Sequence, residues 1–358
     1  MTDAATDGRV VDLHRGLRAA VFVLVALAIA PYTRGAATSF DTPLKLATWN
    51  LEWLIAPATF KSLKNTCVPK GASQDVRSRS GGSSIANERR LPCDVAQRLE
   101  RSSRDFASLA HYAQALNADV IALQEVDGIE AARLVFPKGY EFCFSGSPHL
   151  QNTGFAIRVG LPKRCAPDVM ALSLEDSVRR GAEVVLFPGE PRELHLLDVH
   201  LKSGCASQPL GSGEKACRTL ARQVPALAGW IDSHTADRHR FAVLGDFNRE
   251  LLREPPLAGS AGGQTVQLWP AIDRGSGPEA RLRNVAAGQP FRNCVPGQAH
   301  TGYIDHIVVG NALAASVVPG SFERVTFSAA DARHAHLSDH CPVAVKIDMR
   351  QIARPGAP

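Results

Sequence analysis

Asp246 and Asn248 stand two positions apart, just after Phe241-Ala-Val-Leu244. That apolar run has the length and composition of a buried strand. On extended backbone, residues two apart share a face. A carboxylate and an amide meeting at a strand's end can hold a water molecule and take its proton. Gly, Asp and Asn are also turn residues, so the stretch alone reads equally as a strand that Gly245 ends in an ordinary turn. The same arrangement recurs along the chain. Asn50 and Glu52 follow the strand-like run Leu44–Trp49, on one face if the backbone stays extended. Glu125 closes Val120–Gln124, and His200, with Lys202 behind it, closes a strand over Glu193–Leu201. Asp305 and His306 sit in Tyr303–Val309, and as neighbours they face opposite sides, so one of them can enter a shared site. Asp339 and His340 precede a last strand, Cys341–Ile347. Polar groups embedded in such apolar stretches are costly unless they find partners.

Strands far apart in sequence can bring these ends together if two layers of sheet are flanked by helices. One helix is expected from the stripe Phe106, Leu109, Ala110, Ala113 and Leu116. A second is expected from Cys217, Leu220, Val224, Leu227 and Ile231, with a kink or break at Pro225. Short strands at Tyr140–Phe144, Gly154–Val159 and Glu183–Phe187 read as a meander in one antiparallel sheet. Residues 251–300 are rich in Gly and Pro and show no clear pattern.

The 45% apolar and 21% charged composition is that of a folded globular chain, not a disordered one. The formal net charge is +5. Between Ala58 and Asp105, ten Lys and Arg face five acids, so this segment carries a local excess equal to the chain's total. Such a patch fits a polyanionic partner, or a solvated loop. Within it, residues 58–92 read as a long basic loop insert. At the N-terminus, Arg15 and Arg18, the apolar run Ala19–Ala30 and the small residues Gly35-Ala36-Ala37 describe a secretory signal over residues 1–37. The run is short for a membrane span, and an uncleaved anchor is the alternative. All eight cysteines lie beyond it, which allows disulfides in an exported protein. Cys205–Cys217 and then Cys67–Cys93 are the expected pairs, while Cys341, in an apolar strand, also reads as a buried free thiol. No Cys-x-x-Cys pair occurs, which argues against a structural zinc site.

Taken in order, Thr48-Trp-Asn50-Leu-Glu52, Leu123-Gln-Glu125, Val199-His200-Leu201, Gly245-Asp246-Phe-Asn248, Ile304-Asp305 and Ser338-Asp339-His340-Cys-Pro342 resemble the motifs of the endonuclease/exonuclease/phosphatase superfamily. This superfamily includes pancreatic-type deoxyribonucleases and exonuclease III-like enzymes. The resemblance spans about residues 44–348. It implies an α/β fold, a four-layer α-β-β-α sandwich with two central, mainly antiparallel sheets, in one domain over residues 38–350 followed by a tail at 351–358. It implies that Glu125 is the main metal-binding carboxylate, and that Asn50, Glu52 and Asp339 complete the metal shell or hold its waters. Oxygen donors of this kind suit a hard divalent ion, Mg²⁺ first, with Mn²⁺ or Ca²⁺ as alternatives. Asp246 would deprotonate the attacking water and Asn248 would position it. His340, oriented by Asp305, would hold the scissile phosphate, and His200 would donate to another of its oxygens. Lys202 is a further phosphate contact with less support, and His306 is left structural. The implied activity is a metal-dependent phosphodiesterase, an exported nuclease acting on DNA or RNA. A sphingomyelinase-like lipid phosphodiesterase or an inositol- or sugar-phosphate phosphatase shares the motifs, and a non-catalytic polyanion-binding module is the third reading. The partners are then nucleic acid, or a lipid headgroup or small phosphoester, and no obligate protein partner is evident.

Overall fold

Twelve strands and the helices around them organise the described part of the chain. The structure, a computed structural model, describes residues 42–69, 89–136, 138–254, 267–274, 281–295, 297–298 and 300–352. The expected signal segment, residues 70–88 of the basic insert and the end of the tail lie outside them. The strands are β1 (Leu44–Leu54), β2 (Val120–Val126), β3 (Tyr140–Phe144), β4 (Asn152–Arg158), β5 (Lys163–Cys165) and β6 (Ala182–Leu186). They continue as β7 (Leu194–His200), β8 (Phe241–Asp246), β9 (Arg283–Asn284), β10 (Asp305–Val309), β11 (Glu323–Arg324) and β12 (Val343–Ile347). Two six-stranded sheets result, ordered β11-β12-β1-β2-β4-β3 and β5-β6-β7-β8-β10-β9. β1 with β2 and β7 with β8 are parallel. Every other pairing is antiparallel.

Alternation along the strands sorts side chains into layers. Leu44, Leu46, Val120 and Ala122 of one sheet meet Leu196, Ala242, Leu244 and Ile307 of the other in a core between the sheets. The opposite faces of β1 and β2, with Trp49, Leu51, Ile121 and Leu123, pack on the helix Ser103–Leu116. That helix starts with a capping box between Ser102 and Asp105. Leu197, Val199 and Val243 pack on the helix Lys215–Ala236. The order of layers is therefore helix, sheet, sheet, helix, as the motifs imply.

Several expectations need correction. The segment at 140–187 is not one meander. β3 and β4 close the edge of the first sheet, and the chain then crosses to build β5 and β6 of the second. Period-two patterning shows that a strand has a buried face but not which sheet it joins. Helix Lys215–Ala236 runs unbroken through Pro225. Pro225 lies on its exposed face, where the carbonyl left without a donor can take water. Gly245 does not end β8 but lies within it. With φ 141°, it brings β8 so close to Val199 that a Cβ would sit 2.0 Å from the Val199 carbonyl oxygen. Part of the insert is not loop, since Pro57–Lys64 forms a helix with Pro in its first turn and Phe60 buried. Cys341 is no free thiol, because it pairs with Cys294. The remaining disulfides are Cys67–Cys93, Cys143–Cys165 and Cys205–Cys217. Within 251–300, the described residues contain a short turn at Leu251–Arg253, the helix Leu268–Ile272 and β9.

Candidate active site

The face of each sheet that looks into the core turns polar at one end. Along β1 it reads Leu44, Leu46, Thr48, Asn50; along β2 it reads Val120, Ala122, Gln124. Along β7 it reads Leu194, Leu196, Asp198, His200; along β8 it reads Ala242, Leu244, Asp246. β10 runs the other way and so begins with its polar residue, Asp305, before Ile307 and Val309. All five strands thus change from apolar to polar at the same edge, and the site is the polar continuation of the core.

A floor of hydrogen bonds joins the sheets there. Gln124 Nε2 donates to Thr48 Oγ1 at 3.0 Å and to Asp198 Oδ1 at 2.6 Å. The Gly154 amide donates to Asp198 Oδ2 at 2.8 Å. Burial holds Asp198 well above the usual carboxylate range. Above this floor, Asn50 Nδ2 donates to Glu125 Oε1 at 3.2 Å and to Asp246 Oδ2 at 3.1 Å, one from each sheet. Asn50 thereby bridges the two carboxylates, while its own Oδ1 accepts the Glu52 amide at 2.9 Å.

Three candidate residues sit on left-handed backbone: Glu52 (φ 45°), Glu125 (φ 61°) and Asn248 (φ 51°). Each such non-glycine position costs on the order of 1–3 kcal/mol. This corrects the expectation that Asn50 and Glu52 share a face of extended strand. With Trp53 also left-handed at φ 49°, β1 bulges between Asn50 and Leu54, and backbone amides turn inward. The Trp53 amide donates to Glu125 Oε2 at 3.1 Å, and Gln151 Nε2 donates to the same oxygen. Arg101 secures the bulge. Its guanidinium donates to the carbonyls of Leu51, Glu52, Trp53, His336 and Leu337. Arg101 therefore belongs to the interior and not to the basic patch in which its segment suggested placing it. Arg89 and Lys64 of that segment pair with Asp127 and Glu100. Asn248 likewise meets Asp246 through a turn. Its amide donates to Asp246 Oδ1 at 2.7 Å and its Nδ2 to Oδ2 at 3.0 Å.

His340 Nδ1 lies 2.9 Å from Asp305 Oδ2, and its Nε2 lies 3.9 Å from Asp246 Oδ2. Ser338 Oγ donates to the Asn50 carbonyl at 2.7 Å and accepts the His340 amide at 3.0 Å, which ties the loop to β1. Burial disfavours a charged His340, but the anions Asp305 and Asp246 outweigh it and raise its pKa well above the ordinary value. Nδ1–H then faces Asp305 and Nε2–H points into the site. Burial, with Asp305 nearby, lifts Asp246 to about 7 against the pull of His340. His200 is buried, and burial, then Arg179, His340 and Lys202 push its pKa well below normal. Arg179 faces both ring nitrogens, with its Nε 3.1 Å from Nδ1 and its Nη2 against Nε2. His200 Nε2 lies 3.5 Å from Asp246 Oδ2 and 3.6 Å from Glu125 Oε1. Lys202 Nζ donates to the Ser203 carbonyl at 2.9 Å, and its charge is close enough to act on His200. His306 is structural, with Nδ1 3.0 Å from Asn284 Nδ2 and Nε2 2.9 Å from the Arg249 carbonyl oxygen.

Sequence reasoning missed Arg179, Gln151, Gln124, Asp198 and Arg101. Asp198 and Gln124 carried a signal, since each extends the inward face of a strand already identified. Arg179 and Gln151 arrive from loops and carried none.

The donor set fits a hard cation. Asp339 and Glu125 lie near enough to Glu52 for their charges to act on it, and the Asp339 amide donates to Glu52 Oε2 at 3.2 Å. Burial, then the charges of Asp339 and Glu125, push Glu52 up to about 7, so the cluster holds more negative charge than it can settle alone. A carboxyl whose folded pKa is raised favours folding only while it stays protonated. Its contribution is whole below the ordinary value of 4.5 and is lost as pH rises through about 7. Metal-free Glu52→Gln is therefore expected to be more stable than wild type at about pH 8, by on the order of 2–3 kcal/mol. The gap should close towards about pH 4.5. Urea unfolding at both pH values checks this, and equal stability at the higher pH would contradict it.

A family model described as Endonuclease/Exonuclease/phosphatase family matches residues 47–340. The chain belongs to this family. Endonuclease/exonuclease/phosphatase members hydrolyse phosphoester bonds and generally use divalent metals. Similar solved structures include an AP endonuclease from Archaeoglobus fulgidus, with 13% identity, 85% of this chain and 99% of that one covered, and a TM-score of 0.50. The human Nocturnin catalytic domain has 13% identity, coverage of 85% and 93%, and a TM-score of 0.46. D. rerio TDP2 complexed with a single-strand DNA product has 14% identity, coverage of 86% and 99%, and a TM-score of 0.46. At these identities the likeness is one of fold. No curated protein sequence matches significantly.

Proposed function

We propose that this protein is an exported, metal-dependent nuclease that hydrolyses DNA, with RNA as the second polymer to test. The observation that carries this reading is the convergence of Asp246, the His340–Asp305 pair and Glu125 at one polar edge. Glu125, Glu52 and Asp339 would hold the cation, with Asn50 keeping Glu125 and Asp246 in place. A bound divalent ion would neutralise charge on the phosphoryl oxygens. Asp246, poised near 7, takes the proton of the attacking water, and Asn248 fixes the carboxylate that receives it. The cationic His340 faces the charge that builds on the phosphate, and His200 with the Arg179 guanidinium against its ring lies beside it. Arg179 and Lys202 sit close enough that Arg179 lowers the pKa of Lys202, after burial, so the rim beside His200 is rich in positive charge and suits a polyanion. The AP endonuclease of the same fold is named for action on DNA. For export, the N-terminal pattern of residues 1–37 is supported by four disulfides, which suit an oxidising compartment. No helix of the described residues is long and apolar enough to cross a membrane.

Plasmid nicking tests the reading. Supercoiled DNA should be converted to the open form with Mg²⁺ and left intact with EDTA. Release of phosphocholine from sphingomyelin, or of phosphate from inositol phosphates, without nicking would replace the nucleic-acid assignment while keeping the site. Inactivity on all of these with retained DNA binding would overturn the enzymatic reading of the geometry.

A further inference from the structure

At the opposite end of β7 from His200, three histidines and a carboxylate converge. His195 begins β7, Glu183 lies beside it on β6, His234 lies in the last turn of helix Lys215–Ala236, and His239 precedes β8. One nitrogen from each histidine lies within 4.8 Å of the others. We propose that His195, His234, His239 and Glu183 form a second metal site, separate from the catalytic edge and built for a borderline transition ion such as Zn²⁺.

Tetrahedral zinc with ligands at about 2.0–2.1 Å needs donor atoms roughly 3.3–3.4 Å apart. Glu183 Oε1 lies 3.3 Å from His195 Nδ1 and 3.7 Å from His234 Nε2. The outer contacts orient these same atoms. His234 Nδ1 lies 2.9 Å from the Trp230 carbonyl oxygen and donates to it, which leaves the Nε2 lone pair facing Glu183. Trp230 Nε1 donates to Glu183 Oε2 at 2.9 Å, leaving Oε1 to face the histidines. His195 Nε2 lies 3.0 Å from Glu193 Oε1, the carboxylate–histidine contact that commonly backs a metal-bound imidazole. His239 Nδ1 is buried and has no hydrogen-bond partner among the described residues. The His239 ring is stacked on that of His195, with centroids 4.4 Å apart, so it must turn to present a nitrogen to the same ion. Four protein ligands leave no open position, so the ion would be structural, tying the helix end to β6 and β7. Cysteine spacing could not reveal this, because the ligands are a glutamate on β6, a histidine on β7 and two histidines five residues apart at the end of the helix.

Binding is a balanced exchange. Metal replaces the proton on His195 Nδ1 that now faces Glu183 Oε1, and that proton leaves to solvent.

The test is Co²⁺ titration of metal-stripped protein in excess Mg²⁺, which fills sites made of oxygen donors. One equivalent should bind with the intense visible bands of tetrahedral cobalt, release a proton, and be displaced by Zn²⁺. His239→Ala and His234→Ala should lose the bands while keeping the metal-free unfolding transition. Glu193→Gln, which leaves every ligand in place, should weaken binding about tenfold. Absence of tetrahedral bands in the wild type would overturn the site and leave a hydrogen-bonded cluster. Bands that persist in both histidine variants would also overturn it.

Discussion

Asp246→Asn is expected to lower kcat on a phosphodiester by about 10²–10⁴-fold, the range for loss of a general base. The amide fills the same space, so the backbone bond from Asn248 to Oδ1 can survive. What disappears is the proton acceptor. In its place Nδ2–H₂ faces the Asn50 and Asn248 side-chain amides, which now donate to Oδ2. Donor against donor costs about 1–3 kcal/mol in a buried site. The pH profile separates lost chemistry from lost stability. In the wild type, Asp246 must be ionised to act, so log kcat/KM should rise with unit slope below about 7 and level above it. Metal bound nearby will draw that limb down in pH. In Asp246→Asn the limb should vanish. A variant that keeps it, at wild-type height, would remove Asp246 from the role of base.

His340→Ala is expected to cost about 10²–10³-fold in kcat, the usual effect of losing one donor to a charge that develops in the transition state. His340 also pulls the Asp246 pKa down. Removing it should therefore move the acid limb to higher pH. Asp305→Asn isolates the orienting carboxylate. The imidazole stays, but the anion 2.9 Å from its Nδ1 is gone. Loss of such a partner shifts a pKa by about 1–3 units. The falling limb at high pH, where His340 sheds its proton, should move down by about that much, with kcat falling less than in His340→Ala. An unchanged alkaline limb in Asp305→Asn would mean that Asp305 does not hold His340 charged. Steady-state kinetics across pH for the three variants read both limbs.

The site was legible where chemistry follows strand ends. Asp246 and His200 hold the last inward position of an apolar strand, Asp305 holds the first position of the oppositely running β10, His340 sits just before β12, and the fold brings those ends to one edge. It was less legible where the backbone leaves the strand path. Glu52, Glu125 and Asn248 reach the site on left-handed backbone, and period-two reasoning assumes that no such residue intervenes. Arg101 looked like one charge among ten in a basic segment. Only the folded structure shows three carbonyls of the β1 bulge and two of the loop before Ser338 turned towards it, and burial there is what separates a structural guanidinium from a solvated one.

By itself the sequence determined the layered α/β class, the two main helices, the six motifs and the residue types available for phosphoester chemistry. Local patterning suffices for these, because apolar period and polar strand ends are properties of neighbouring residues. The tertiary structure decided which sheet each strand of 140–187 joins, which cysteine pairs with Cys341, and how Asn50 links Glu125 to Asp246. It also decided that Asp198 and Gln124 form a floor beneath the site and that His195 meets the His234 and His239 pair at the far end of β7. Each of these depends on contacts between residues far apart in the chain. Such contacts are set by the packing of whole sheets, and no local pattern encodes them.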